Sequence, residues 1–232
     1  MTRTYDETWI YHPRAQAGSL LELDDSESGH LVRVLRLAAQ TRCTVTDGHG
    51  QVLNALLEEA HPRHARLQCL DVAQVLPQPQ LALAQAVLKN RGLEEVVDLC
   101  CQTPLRSLQP LWTDHVQVAR NRDIEHQVQR LQAKAIAALQ QSKQAWLCEI
   151  SAPVGLDSWL SARPADETVA VCDASGKPTT LEGQATLVVG PEGGFSSREY
   201  ALFQEGGILM VSLGASRLRA TAAGFWALGR LG

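Results

Sequence analysis

The stretch Thr186-Leu187-Val188-Val189-Gly190-Pro191-Glu192-Gly193-Gly194-Phe195-Ser196-Ser197-Arg198 runs from an apolar strand through a glycine-rich turn to the start of a helix. Glycine lets backbone N–H and C=O groups approach a ligand with no Cβ in the way, and proline fixes one torsion of the bend. Ser196 followed three residues later by Glu199 is the pattern of a capping box, which places a helix start there. Strand, glycine loop and helix N-terminus together form a pocket edge at the carboxyl end of a parallel sheet. The loop lacks the Lys-Ser/Thr of a phosphate-cradling loop and the G-x-G-x-x-G spacing of dinucleotide binders, which argues against a nucleoside triphosphate. The same glycines also suit a tight strand-to-helix turn with no ligand.

A second unit of this kind follows. Residues 208–213 form an apolar strand that ends at Gly214, and Ala215-Ser216-Arg217-Leu218-Arg219 opens a long apolar helix over residues 218–231. Working back toward the N-terminus, residues 81–89, 105–112 and 168–173 read as strands, residues 93–101 as a helix, and residues 124–144 as a long amphipathic helix. Strands alternating with helices predict a mostly parallel α/β sheet. Two prolines in Leu76-Pro77-Gln78-Pro79-Gln80 interrupt the pattern and mark a domain boundary, giving domains over residues 1–76 and 77–232. Before the boundary, short alternating runs at 41–47, 51–57 and 65–73 predict a small β-barrel.

Two domains suit a chain of 232 residues, and 45% hydrophobic content supplies a core. No stretch approaches a membrane span and the charged first seven residues do not resemble a signal peptide, so the expectation is a cytosolic protein. Six scattered cysteines without a C-x-x-C pair suggest buried thiols, with neither a disulfide framework nor a zinc site. Helix packing is the plainer reading of Cys100-Cys101, redox activity the other. His61 and His64 have ligand-like spacing but no Cys/His partners nearby, so no metal is expected. Net charge is −4, and residues 1–76 carry seven arginines against ten carboxylates. Bulk charge therefore does not mark a nucleic-acid binder, although phosphate contacts need only a local patch.

The motifs Leu187-Val188-Val189-Gly190-Pro191-Glu192-Gly193-Gly194-Phe195, Leu213-Gly214 and Leu218-Arg219 resemble those of the RsmE methyltransferases, members of the SPOUT class. Weaker matches run through His30-Leu31-Val32-Arg33-Val34-Leu35-Arg36, Asp47-Gly48-His49-Gly50, Leu88-Lys89, Gln109-Pro110-Leu111 and Lys134-Ala135-Ile136-Ala137-Ala138 to Gln141-Ser142. The resemblance implies a PUA-like β-barrel that binds RNA, followed by a deep trefoil-knot α/β domain. It implies S-adenosylmethionine held by Gly190, Pro191, Glu192, Gly193, Gly194, Leu213, Gly214 and Leu218, methylation of N3 of a uridine in 16S rRNA of the small ribosomal subunit, and a homodimer. Arg3, Arg14, Arg33 and Arg36, around the entry to the barrel, and Lys89 are the expected RNA contacts.

Methylating a uridine N3 requires loss of the N3 proton and stabilisation of charge spreading over two carbonyls. Arg219, beside the cofactor loop, is the first candidate for that cation and Arg217 the second. An arginine at a helix N-terminus opposes the helix dipole unless an anion is near. Glu192 either compensates a sulfonium charge or satisfies backbone N–H groups of its own loop, with the second reading favoured, and Phe195 either flanks the adenine or packs in the core, again with the second favoured. The chain also departs from the family pattern. Thr221 replaces a carboxylate, Gln102-Thr103-Pro104 replaces Glu-Leu-Gly, Ala137 stands where glutamate is usual, and Gln141-Ser142-Lys143-Gln144 replaces Gln-Ser-Gly-Arg. Two competing expectations follow: a methyltransferase of the same fold for another RNA nucleotide, and a non-catalytic RNA-binding or assembly factor that retains the cofactor pocket.

Overall fold

The computed structural model describes residues 8–118, 123–164 and 166–231. Its contacts divide into two compact units, one formed by residues up to 78 with 139–146, the other by 79–138 with the chain from 147 onward.

In the first unit, β1 (Trp9–Tyr11), β2 (Leu20–Glu22), the short helix α1 (Asp25–Gly29) and a wider helical turn (His30–Val34) precede β3 (Arg42–Thr46), β4 (Gln51–Glu59) and β5 (Arg66–Val75). They build one curled five-stranded sheet in the order β1-β3-β4-β5-β2. Only β1 and β3 pair in parallel. In β4, Leu53, Ala55 and Leu57 are buried and Asn54 is exposed, the period of two that one buried face demands. Between β3 and β4 the Asp47 carboxylate accepts from the amides of His49 (2.7 Å) and Gln51 (3.1 Å), an Asx-type turn at the position expected for a hairpin. The two three-residue strands β1 and β2 are too short to show an alternation, and sequence reading omitted them. Residues 145 and 146 are tied to this unit by Ala145, whose carbonyl accepts from Thr46 Oγ1 (3.0 Å), and by Trp146 Nε1, which donates to the Leu76 carbonyl (3.0 Å).

The second unit contains β6 (Leu81–Ala86), α2 (Gly92–Cys100), β7 (Ser107–Trp112), most of α3 (Ile124–Ser142), β8 (Glu149–Ile150), β9 (Val154–Gly155), α4 (Leu156–Ala162), β10 (Thr168–Lys177), β11 (Ala185–Val189), α5 (Ser197–Glu205), β12 (Leu209–Val211) and α6 (Ala220–Leu231). The sheet order is β12-β10-β11-β6-β7-β8, with β9 also on β7, and every pairing is parallel. A parallel sheet covered on both faces needs strands buried throughout. All six residues of β6 and all five of β11 are buried. Alternate residues feed two cores. Leu83 and Leu187 pack with Val96, Val97 and Leu131 from α2 and α3, and with Leu228 from α6. Ala84 and Val188 face the other way, toward Leu156 and Phe203 of α4 and α5. Phe203 is 1% exposed, and burial of such a side chain contributes about 2–3 kcal/mol.

Strand β10 does not stop at residue 173 as the sequence suggests. It stays extended to Lys177, which pairs with Val211 after a register shift. The backbone of Gly176 passes so close to β12 that a Cβ there would lie 2.5 Å from main-chain atoms of Val211. Helix α6 begins at Ala220, with the Arg219 carbonyl accepting the amides of Ala222 and Ala223 at 3.0 Å each. Gly224, Ala227, Leu228 and Leu231 are buried, but Phe225 and Trp226 are 42% and 50% exposed. Burial within one subunit therefore does not account for the apolar circumference of this helix. Five of the six cysteines are buried, Cys172 being half-buried. Burial pushes the Cys100 thiol up, and the Cys172 thiol up to about 12, which suits inert packing groups. Among the described residues no helix is long and apolar enough to cross a membrane.

Candidate active site

One cleft of about 890 Å³, within the size range of small-molecule sites, lies at the ends of β6, β11 and β12 and beside the middle of β10. The exit of β11 supplies Gly190, Pro191, Glu192, Gly193 and Gly194. Beyond β12 come Leu213, Gly214, Arg217, Leu218 and Arg219. The middle of β10, where its register against β12 shifts, adds Cys172 and Asp173, and the β6 exit adds Lys89 and Asn90. The sequence-predicted cofactor set, both candidate catalytic arginines and Lys89 thus converge, although more than a hundred residues separate Lys89 from Leu213.

Local chemistry explains the loop. Gly194 has φ +69°, the left-handed region that glycine enters without steric cost, and its N–H donates to the Pro191 carbonyl at 2.9 Å. Beneath the loop, Gln85 Nε2 donates to the Val189 carbonyl at 3.4 Å. Phe195 is buried and meets Phe203 edge to face at 4.9 Å between ring centroids, a core anchor as the sequence suggested. The expectation for Glu192 needs correction. Its Oε1 accepts from the Lys89 amide at 3.3 Å, so it bridges to the β6 exit instead of satisfying its own loop. Asn90 and Arg91 beside it have φ +50° and +63°. Two consecutive non-glycine residues in the left-handed region store strain of the kind found at ligand sites.

Charge is mixed around the cleft. Lys89, Arg217 and Arg219 are exposed cations, and Glu95, Asp173 and Glu192 bring carboxylates. Asp173 is held on both oxygens. Oδ1 accepts from the Ser175 amide (2.8 Å) and hydroxyl (2.6 Å), and Oδ2 accepts from Tyr200 (2.6 Å). Burial pushes the Asp173 carboxyl up, but the hydrogen bonds from Ser175 and Tyr200 outweigh it and hold the group below its ordinary value. Tyr200 is pushed up to about 12 by burial and by its bond to Asp173. Asp173 therefore presents a fixed negative charge to the cleft. Sequence reading missed it, and the available signal was its place at the carboxyl end of an apolar strand.

The helix side of the glycine loop is fastened to the β7 exit. The capping box is present: Ser196 Oγ accepts from the Glu199 amide at 3.2 Å, and Glu199 Oε2 accepts from the Ser196 amide at 2.8 Å. Glu199 is fully buried, and its Oε1 accepts from the Asp114 amide at 2.9 Å. Arg198 donates to Asp114 at 2.8 and 3.1 Å and to Asp157 at 2.8 Å, and the Ser196 hydroxyl donates to Asp114 at 2.6 Å. The Arg198 hydrogen bond, then that of Ser196, lowers the Asp114 carboxyl to about 2. A carboxyl depressed on folding adds stability above its ordinary value near 4, and loses it as pH falls toward its folded value. The stability difference between wild type and Asp114→Asn in urea melts is therefore expected to be constant above about pH 5 and to vanish between about pH 4 and 2.

Of the remaining sequence-predicted residues, Arg14 lies in the turn after β1, Arg33 in the helical turn 30–34, and Arg36 just after it, all exposed. They belong to the first unit. Arg3 lies outside the described residues. Of the four noted replacements only Thr221 lines the cleft. Gln102 donates to the Asp98 carbonyl at the end of α2, and Ala137 is exposed on α3.

A family model for an RNA methyltransferase domain matches residues 75–232. The ribosomal RNA small subunit methyltransferase E of Synechocystis is 30% identical, over 96% of this chain and 76% of that protein. Its Helicobacter pylori namesake is 25% identical, over 88% and 91%. Among solved structures, a candidate methyltransferase of Legionella pneumophila in complex with bound SAM is 27% identical and superposes with a TM-score of 0.87, covering 97% of this chain and 96% of that one. The ribosomal RNA small subunit methyltransferase E of Neisseria gonorrhoeae shares the fold with a TM-score of 0.86 at 21% identity, covering 96% and 95%. The match over two thirds of the chain, the likeness along almost all of it and the loops gathered at one cleft lead to a single assignment: the chain belongs to the RNA methyltransferase domain family, as a member of the ribosomal RNA small subunit methyltransferase E (RsmE) group.

Proposed function

We propose that this protein methylates N3 of a uridine in 16S rRNA of the small ribosomal subunit, with S-adenosylmethionine as donor. The observation that carries the reading is the convergence of the Gly190–Gly194 loop, Leu213-Gly214 and Leu218-Arg219 at the strand ends of one cleft. The residues present fit the donor. The volume suits a nucleoside with an amino-acid tail, Asp173, Glu95 and Glu192 complement its cationic groups, and glycine amides at a strand end suit its polar edges. When bound, S-adenosylmethionine supplies an electrophilic methyl group whose C–S bond breaks with the electron pair going to sulfur. The N3–H proton of the uridine leaves to solvent as the N3–C bond forms. Arg219, on the exposed lip of the cleft, stabilises the negative charge that develops on the two uracil carbonyls, and Arg217 supports it.

The finer architecture is part of the same proposal. The first unit acts as a PUA-like barrel that positions RNA through Arg14, Arg33 and Arg36, with Lys89 at the cleft. The second acts as a deep trefoil knot, supported by the close crossing of Gly176 over Val211. Phe225 and Trp226 are offered to a second subunit in a homodimer, and the protein works in the cytoplasm, where its ribosomal substrate lies. A second reading draws on Thr221, which lines the cleft where the family has a carboxylate: the pocket binds the donor but the protein serves as a non-catalytic assembly factor. Calorimetric titration with S-adenosylmethionine followed by methyl transfer to small subunits lacking the modification separates these. Binding with product at uridine N3 is expected. Binding without product favours the assembly factor, product at another nucleotide favours a same-fold enzyme of different specificity, and absence of binding removes every methyltransferase reading.

A further inference from the structure

The contact that the proposed chemistry leaves unused is made by His115, in the loop after β7. Its Nδ1 lies 3.2 Å from the Gly193 carbonyl oxygen and 3.1 Å from that of Gly194. Carbonyl oxygens only accept, so Nδ1 carries the proton and donates to both, whether or not Nε2 is also protonated. The approach is close: a Cβ on Gly193 would stand 3.2 Å from His115 Cβ. The neighbouring residue is held from the opposite side, because the Asp114 amide donates to Glu199 and its carboxylate accepts from Ser196 and Arg198. The β7 exit thus clasps residues 193–199 at both ends, with His115 on the glycine side and Asp114 on the helix side.

We propose that His115 is a positioning residue for the glycine loop, a brace that holds the Gly193 and Gly194 peptides in the one arrangement that receives the methyl donor. His115 is exposed and does not line the cleft, whereas Gly193 and Gly194 do. Its influence on the ligand passes through those two peptides. A glycine pair has more backbone freedom to lose than any other dipeptide, so a donor that fixes both carbonyls removes an ordering cost that binding would otherwise meet.

The proposal rests on the reading that S-adenosylmethionine binds in this cleft, and the test separates the two. Three variants of the full chain are compared: His115→Ala, which removes the donor; His115→Asn, whose amide N–H lies near the position of Nδ1–H; and Gly193→Ala, which crowds His115 at its Cβ. His115→Ala and Gly193→Ala are expected to weaken calorimetric S-adenosylmethionine binding about three- to tenfold, the worth of one net hydrogen bond. KM for the donor should rise by a similar factor, with kcat at saturating donor within about twofold. His115→Asn should restore both. With no donor present, the amides of Gly190 and of residues 192–195 should exchange hydrogen faster in His115→Ala than in wild type or His115→Asn. If wild type does not bind the donor, the methyltransferase reading falls, and the exchange comparison alone judges the brace. Unchanged exchange in His115→Ala overturns the proposal, as does a loss of binding that His115→Asn shares in full.

Discussion

Arg219→Ala is expected to lower kcat for methyl transfer to the small subunit by about a hundredfold, the scale seen when one group that stabilises a developing oxyanion is removed. The dissociation constant for S-adenosylmethionine should stay within about threefold, the worth of a weak or absent contact. The split follows from what Arg219 does in the structure. Its main-chain carbonyl accepts the first amides of α6, a role that survives truncation of the side chain. Its guanidinium is exposed on the lip of the cleft, next to the positive end of a helix, where a cation is unfavourable by a few tenths of a kcal/mol or more. That cost is recovered when an anion forms beside it, as deprotonation of a uracil ring provides. Arg219→Lys should recover part of the rate, because a compact ammonium lacks the planar fork that could meet a carbonyl oxygen and a neighbouring group together. Arg217→Ala should cost less than Arg219→Ala. Steady-state kinetics alongside calorimetry checks the pair, and a kcat unchanged in Arg219→Ala would remove the assigned role.

Gly176→Ala should be the most destabilising single methyl addition in the second unit. The added Cβ would lie 2.5 Å from the backbone N and C of Val211. No rotamer change relieves that contact, because both partners are main chain. Val211 is fully buried and pairs with both Cys172 and Lys177 of β10, and the Ser212 amide donates to the Lys177 carbonyl at 3.0 Å, so moving either strand breaks ladder hydrogen bonds. Overpacking of this kind costs about 3 kcal/mol or more, which in a unit of this size lowers the melting temperature by roughly 6–12 °C. S-adenosylmethionine affinity should fall with it, because Leu213 and Gly214 follow directly from the displaced strand. Calorimetric melting with and without the donor measures both effects, and a melting temperature within about 2 °C of wild type would show that the crossing relaxes easily.

Much of this architecture is legible in the chain because it is written in local pattern. The capping box from Ser196 to Glu199 needs only three residues of spacing, and it is present with both hydrogen bonds. The apolar runs of β6 and β11 announce strands buried on both faces, and the breaks at Gly190 and Gly214 announce the loops that follow. Other features carry no local signal. Three-residue strands such as β1 and β2 are below the length at which a period shows. Glu192 reads as a partner for its own loop, or for a sulfonium charge, until the Lys89 amide, 103 positions away, is placed beside it. Asp114 and His115 are ordinary polar residues in a one-dimensional reading, and their contacts arise from Arg198 and the Gly193-Gly194 carbonyls that the fold sets against them.

By itself the sequence determined that two strand-glycine-helix units belong to a mostly parallel sheet that follows a small β unit in the chain, and that Gly190–Gly194 with Leu213-Gly214 were the place to look for a ligand. Backbone conformation, capping and burial period depend on near neighbours, and these are encoded within a few residues. Only the tertiary structure decided which charges face the cleft, that Glu192 bridges two loops, that β10 runs on to meet Val211 of β12 again at Lys177, and that Phe225 and Trp226 stay about half exposed on α6. Those outcomes depend on which distant segments the parallel strand order brings together, and a parallel sheet joins strands only through long crossovers that leave no mark in local spacing.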